Sequence, residues 1–157
     1  MTKDNSKEII KIARKFKVDA ILGLWHNINV EEAKKLDIPI FLRTYKKIYS
    51  DFPMLTGHYK EFGAYAARFF IEQKFSNYAF IGMKDIIWSM SRYEGYSDQI
   101  VSSLKVATYR YDVEDFKNEI SEITDWLRAL PKPVALLACN DFMARQVTEI
   151  CQMEGIR

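Results

Sequence analysis

Asn140 and Asp141 stand where the apolar run Val134 to Cys139 stops and a helical spacing of apolar residues begins at Met143, Val147, Ile150 and Cys151. The run is too short for a helix of its own. It reads as a buried strand whose carboxyl end presents an amide and a carboxylate. In open α/β sheets that edge is where small ligands bind, and Asn and Asp together supply the donors and acceptors that a polyhydroxylated ligand needs. Asp141 equally fits a helix N-cap; local pattern favours the cap for Asp141 and leaves Asn140 without so simple a role. A second candidate is Trp88-Ser-Met-Ser-Arg92-Tyr-Glu-Gly95-Tyr96, just past a strand that ends at Gly82. Arg92 falls in the first turns of a helix, where a guanidinium can fork two hydrogen bonds onto vicinal hydroxyls or a carboxylate. Trp88 can stack on the apolar face of a sugar ring, and Gly95 permits close packing onto the strand. The competing reading pairs Arg92 with Glu94 or Asp98 at the surface and buries Trp88 in the core. Trp25-His26-Asn27 follows the first strand in the same way and should face a cleft. His58 precedes a helix, as a cap-region residue or a ligand contact.

The elements that position these residues follow from periodicity. Ile9, Ile12, Ala13 and Phe16 make one face of a helix over residues 5–16. Asp19 to Trp25 reads as a strand, Asn29 caps a short helix with Val30, Ala33 and Leu36 inward, and Ile38 to Leu42 is a second strand, with Pro39 tolerable near its start. A loop from Arg43 to Gly57 leads to a helix over 59–74 that buries Phe62, Ala66, Phe69 and Phe70. The pattern then restarts with a strand at Tyr78 to Gly82 and a helix over 88–104 that packs Tyr93, Tyr96, Ile100 and Leu104. A short strand spans Val106 to Arg110. A long helix from Asp112 carries Val113, Phe116, Ile120, Ile123, Leu127 and Leu130, and Pro131 and Pro133 close it. Such alternation predicts an α/β protein with parallel sheets built from right-handed βαβ units. The join near Lys74 to Asn77 divides the chain into residues 1–75 and 76–157.

Composition excludes several functions. The 157 residues are 48% hydrophobic and 28% charged with a formal net charge of +2, the make-up of an ordinary globular protein. The 23 basic residues are scattered, so there is no electrostatic footprint for nucleic acid. No apolar run can span a membrane, and the polar N-terminus lacks a signal-peptide core, which points to the cytoplasm. Cys139 and Cys151 read as reduced core residues, and with only His26 and His58 there is no metal-site spacing. Glycine-rich nucleotide motifs and nucleophile elbows are absent, so neither a cofactor nor an enzymatic activity is expected.

Taken together, Trp88 to Tyr96, Trp126-Leu-Arg-Ala-Leu-Pro-Lys-Pro133 and Ala138-Cys-Asn-Asp-Phe-Met-Ala-Arg-Gln146 resemble the sugar-sensing domain of xylose-operon regulators. These are AraC-type transcription factors with a LacI-like, periplasmic-binding-protein-like type I effector domain. Val18-Asp-Ala-Ile-Leu, Ile38-Pro-Ile and Gly63 with Ala66-Ala67 resemble the family's first lobe. The resemblance implies two lobes with a sugar, such as a pentose, held between them. It implies that Arg92 and Asn140 contact sugar hydroxyls and that Trp88 holds a position typical of this branch; Asp141, His58 and Trp25 complete the candidate ligand-binding set. Where relatives commonly carry Asp-Asn ahead of the helix glycine, this chain has His58-Tyr59, which leaves the identity of the sugar open.

The implied function is sugar sensing by hinge closure, with DNA reached through a separate domain outside this chain and no membrane partner. The other reading is a solute-binding protein of a sugar transport system. Both ends look cut, as though the chain were about half of an effector domain, and open sheet edges predict a homo-oligomer. The chain by itself is then expected to bind sugar poorly or not at all. Calorimetric titration with D-xylose and L-arabinose checks this, and micromolar affinity overturns it.

Overall fold

The computed structural model describes residues 6–24, 28–100, 104–112 and 116–157. Trp25, His26, Asn27 and Val113 lie outside the described residues. Strands and helices alternate as expected, but the two compact units are residues 1–57 and 58–157. The division falls before the helix at 59–72 and not near residue 75, because that helix packs on elements that follow it.

The first unit holds α1 (Ser6–Phe16), β1 (Ile21–Leu24), α2 (Val30–Lys34) and β2 (Ile40–Arg43). β1 and β2 pair in parallel, Ile21 opposite Ile40, and a single parallel bridge joins Leu42 to Met54. Asn29 caps α2 as predicted, accepting from the Glu32 amide at 3.1 Å, while the Asn29 amide donates to buried Ser6 Oγ at 2.8 Å. Ile10, Ile28, Ala33, Ile40, Leu42 and Tyr49 form the core. Of the face expected for α1, Ala13 is buried but Ile12 and Phe16 are exposed.

The second unit is a three-stranded parallel sheet in the order β4 (Val106–Tyr111), β3 (Tyr78–Met83), β5 (Ala135–Ala138). Helices α3 (Tyr59–Glu72), α4 (Ile87–Gln99), α5 (Phe116–Ala129) and α6 (Asp141–Met153) alternate with these strands. β3 is central and almost wholly buried, as its continuous apolar sequence requires. Phe80, Ile81, Tyr96, Ile123, Leu127, Met143, Val147 and Ile150 make the core, so the inward faces of α5 and α6 follow the sequence pattern. Ile120 and Leu104 are exceptions and are exposed. No described helix is long and apolar enough to cross a membrane.

The largest departure is the face of α3. Its buried residues are Gly63, Ala64 and Ala67, whereas Phe62 and Phe69 are exposed. The reason is close packing of α3 on α4. A Cβ on Gly63 would stand 1.9 Å from the Arg92 carbonyl oxygen, and one on Gly95 would stand 1.8 Å from the Lys60 carbonyl oxygen. Each helix thus lays its backbone against a glycine of the other, and Gly95 packs against α3, not against the strand as expected. Lys60 and Asp98 close the same interface with an ion pair at 2.9 Å. Backbone atoms cannot swing aside as side chains do. Gly95→Ala is therefore expected to lower stability by about 1–3 kcal/mol through overpacking. Gly23→Ala, with nothing within 4 Å of its Cβ, should change it by less than about 0.5 kcal/mol. Urea unfolding of the two variants and the parent checks the difference.

Candidate functional site

The carboxyl edge of the three-stranded sheet carries the polar groups singled out in the sequence. β5 ends at Ala138, and Cys139 N donates to Ile81 O at 2.9 Å, which keeps the chain on the sheet for one further residue. At Asn140 the backbone is still extended (φ −157°, ψ 172°), and its Oδ1 accepts from the Met143 amide at 2.9 Å. Asn140 is thus the N-cap of α6 and Asp141 its first helical residue, the reverse of the assignment favoured by local pattern. The Asp141 carboxylate is exposed beside the positive end of the helix dipole, where an anion is stabilised. The cap engages only Oδ1 of Asn140; the amide nitrogen remains available as a donor.

Arg92 reaches this edge from α4. The start of α4 is tied to the sheet by Ser89, whose buried Oγ accepts from the Met83 amide at 2.9 Å, and its far end by Tyr96, whose hydroxyl donates to Ala135 O at 2.9 Å. One guanidinium nitrogen of Arg92 donates to the Cys139 carbonyl. The group lies over two aromatic rings, 5.0 Å from the Trp88 centroid and 5.4 Å from that of Tyr59. These contacts orient the guanidinium plane, and most of its five donors stay uncommitted. Arg92 pairs with neither Glu94 nor Asp98: its guanidinium is turned to the Cys139 carbonyl, and Asp98 pairs with Lys60. Burial pushes the Cys139 thiol up, so the residue between Arg92 and Asn140 is a neutral filler, not a nucleophile.

Phe62, Gly63, Arg92, Cys139, Asn140, Asp141 and Ala144 line a depression of about 450 Å³ at this edge. A second cavity, about 520 Å³, opens elsewhere between Leu130, Leu136, Val147 and Cys151. It is the more apolar of the two; its charged lining residues are Arg157 and Lys132, whose ammonium donates to the Leu127 and Leu130 carbonyls, and no carboxamide or carboxylate side chain joins them. Of the sequence candidates, Arg92, Asn140 and Asp141 come together in the first. Trp88 stands behind Arg92 as its stacking partner, half-buried against the core. His58 is exposed ahead of α3 and makes no side-chain cap bond. Trp25 is outside the described residues. Tyr59 and Phe62 were not singled out as site residues. In the sequence Tyr59 shows only as half of the His58-Tyr59 departure, and periodicity places Phe62 in the core.

Residues 67–157 match the model of the periplasmic binding protein-like domain family. No curated protein matches the chain in sequence. Among solved structures, a putative LacI-family transcriptional regulator from Rhizobium etli matches with a TM-score of 0.72 at 16% identity, covering 99% of this chain and 60% of that one. A periplasmic binding protein/LacI transcriptional regulator from Alkaliphilus metalliredigens, complexed with D-xylulofuranose, gives 0.66 at 15% identity over 98% of this chain and 59% of that one. The binding-protein component of the arabinose transporter from Shewanella sp. ANA-3, bound to L-arabinofuranose, gives 0.72 at 16% identity over 98% and 56%. The chain therefore spans a little under two thirds of the length of these structures. With its parallel α/β architecture and a family match over more than half of its length, the chain belongs to the periplasmic binding protein-like domain family.

Proposed function

We propose that this chain is the sugar-sensing part of a bacterial transcriptional regulator, and that its second unit supplies one wall of the sugar site. The observation that carries the reading is the convergence of the Arg92 guanidinium and the Asn140 amide on one depression at the carboxyl edge of the sheet. An oriented guanidinium and a carboxamide read vicinal hydroxyls through paired donors, and the aromatic edge of Phe62 offers an apolar face for ring carbons. Asp141, beside them, adds an acceptor. Trp88 acts through Arg92 by holding its plane, while His58 and Trp25 stay ligand candidates on sequence grounds alone.

The finer reading is a pentose sensor of the xylose-operon type, AraC-like in its full form, cytoplasmic, and reaching DNA through a separate domain. The motif resemblance around Trp88–Tyr96 and Ala138–Gln146 supports it, as do the furanose ligands of two structural neighbours. Transport is the second reading, favoured by the likeness to the arabinose transporter component. No catalytic role is assigned to any residue.

Two experiments test the site. Titration of the labelled chain with D-xylose or L-arabinose, followed by nuclear magnetic resonance, should perturb the Arg92 and Asn140 side-chain signals with an affinity of about millimolar, near −4 kcal/mol. Arg92→Lys keeps the charge but loses the planar fork, so binding should weaken about tenfold. Signals that stay fixed throughout the titration would remove the proposal. Asn140 divides structure from recognition. Asn140→Ala should cost about 1 kcal/mol of stability from the lost cap. Asn140→Asp keeps the capping acceptor and should fold as stably, yet lose pentose binding with the amide donor. An Asp variant that binds like the parent would leave Asn140 a cap and nothing more.

A further inference from the structure

Helix α3 carries an exposed aromatic surface of which the proposed sugar site accounts only for Phe62. With the small residues Gly63, Ala64 and Ala67 turned inward, the opposite side exposes Tyr65 at 69%, Phe62 at 58% and Phe69 at 51%. Large aromatic side chains aligned on one exposed helix face mark an interaction surface. The charged residues bordering this stripe identify what fits it.

At 3.6 residues per turn and 1.5 Å rise, Tyr65 sits at the middle of the exposed face. Glu61 lies about 6 Å toward the amino end and Arg68 about 4.5 Å toward the carboxyl end, both on one flank of the face. Phe62 and Phe69 lie on the other flank at about 4.5 Å and 6 Å in the corresponding directions. Within one chain Arg68 Nη2 donates to Glu61 Oε1 at 2.6 Å, which fixes the two charges on the same side. The pattern is self-complementary. A two-fold axis through Tyr65, perpendicular to the helix, sets a second α3 antiparallel to the first and keeps each flank facing its own copy. Glu61 then meets Arg68 of the second copy and Phe62 meets its Phe69, with the two Tyr65 rings stacked near the axis. An isologous interface of this kind pairs residue i with j and j with i.

We infer that α3 is a homodimerisation helix, and that its occupant is α3 of a second copy of this chain in antiparallel register about Tyr65. None of its contacts requires a ligand, although Phe62 is shared with the rim of the proposed sugar site.

Charge reversal tests it. Glu61→Arg places two arginines opposite each other at both ends of the interface, and Arg68→Glu does the same with two glutamates. Each variant alone should raise the dimer dissociation constant at least about tenfold in sedimentation equilibrium. Mixed in equal amounts, the two variants regain a full set of opposite-charge pairs and should form a heterodimer of near-parental affinity. Both substitutions in one chain should likewise restore the homodimer. All changes are at exposed positions, so circular dichroism should stay parental throughout. A parental chain that sediments as a monomer overturns the inference. So does a dimer unaffected by either variant, which would put the contact elsewhere, such as the open edge of β5, and so does a mixture that fails to reassociate.

Discussion

Backbone-to-backbone contact between α3 and α4 is the constraint from which much of the second unit follows. Gly63 and Gly95 admit carbonyl oxygens to positions that any Cβ would occupy, 1.9 and 1.8 Å away. The helices can approach only in the rotation that puts both glycines at the interface, so the outward face of each is set as firmly as the inward one. On α4 this leaves Trp88 and Arg92 facing the end of the sheet. On α3 it carries Tyr59 to the Arg92 guanidinium and Phe62 to the rim of the depression.

The polar edge of β5 is organised by hydrogen-bond accounting. Helix α6 begins with amides that have no partner inside the helix, and Asn140 Oδ1 satisfies the Met143 amide. The strand reaches its end with the Cys139 carbonyl unpaired by the sheet, and Arg92 satisfies it. Structure thereby uses one acceptor of Asn140 and one donor of Arg92, and it leaves the other functional atoms of both groups at the same depression. A ligand held there meets side chains whose positions were settled in folding, which lowers the ordering cost of binding. The thiol of Cys139, kept neutral by burial, lies between them.

Strands and most helices were legible because burial on both faces demands unbroken apolar runs, as at Tyr78–Gly82, and because α5 and α6 keep a regular three-four spacing. The face of α3 was legible in part: Ala66 and Phe70 pack against the core, whereas Phe62 and Phe69 are exposed. Summed hydrophobicity favours Phe62 and Phe69 over Gly63 and Ala64, but a helix-helix contact at backbone distance rewards the smallest residues, and that preference exists only once α4 is in place. The same contact moved the division between units to Gly57, since loop composition marks where the chain turns and not what a helix packs against. The exchange of roles between Asn140 and Asp141 is a one-residue matter. Pattern locates a strand-to-helix step within a residue or two, and only the extended backbone at Asn140 decides which side chain caps. Arg92 and Asn140 were readable as a pair by their places after two strands, whereas Tyr59 joined them through a contact 33 residues distant in the chain, for which no local pattern exists.

Phe62 belongs both to the rim of the polar depression and to the exposed stripe of α3. Its ring can turn about two torsions, so a position that suits a bound sugar and one that suits a facing helix need not coincide. Two equilibria that draw on one side chain are linked, and the linkage is reciprocal: whatever factor ligand imposes on association, association imposes on ligand affinity. The close seat of α3 on α4 favours repacking of Phe62 over sliding of the helix, because a slide would drive a carbonyl into Gly63 or Gly95. Were a sugar and a second α3 both to touch Phe62, the sign of the coupling between them would be set by which rotamer of Phe62 each prefers.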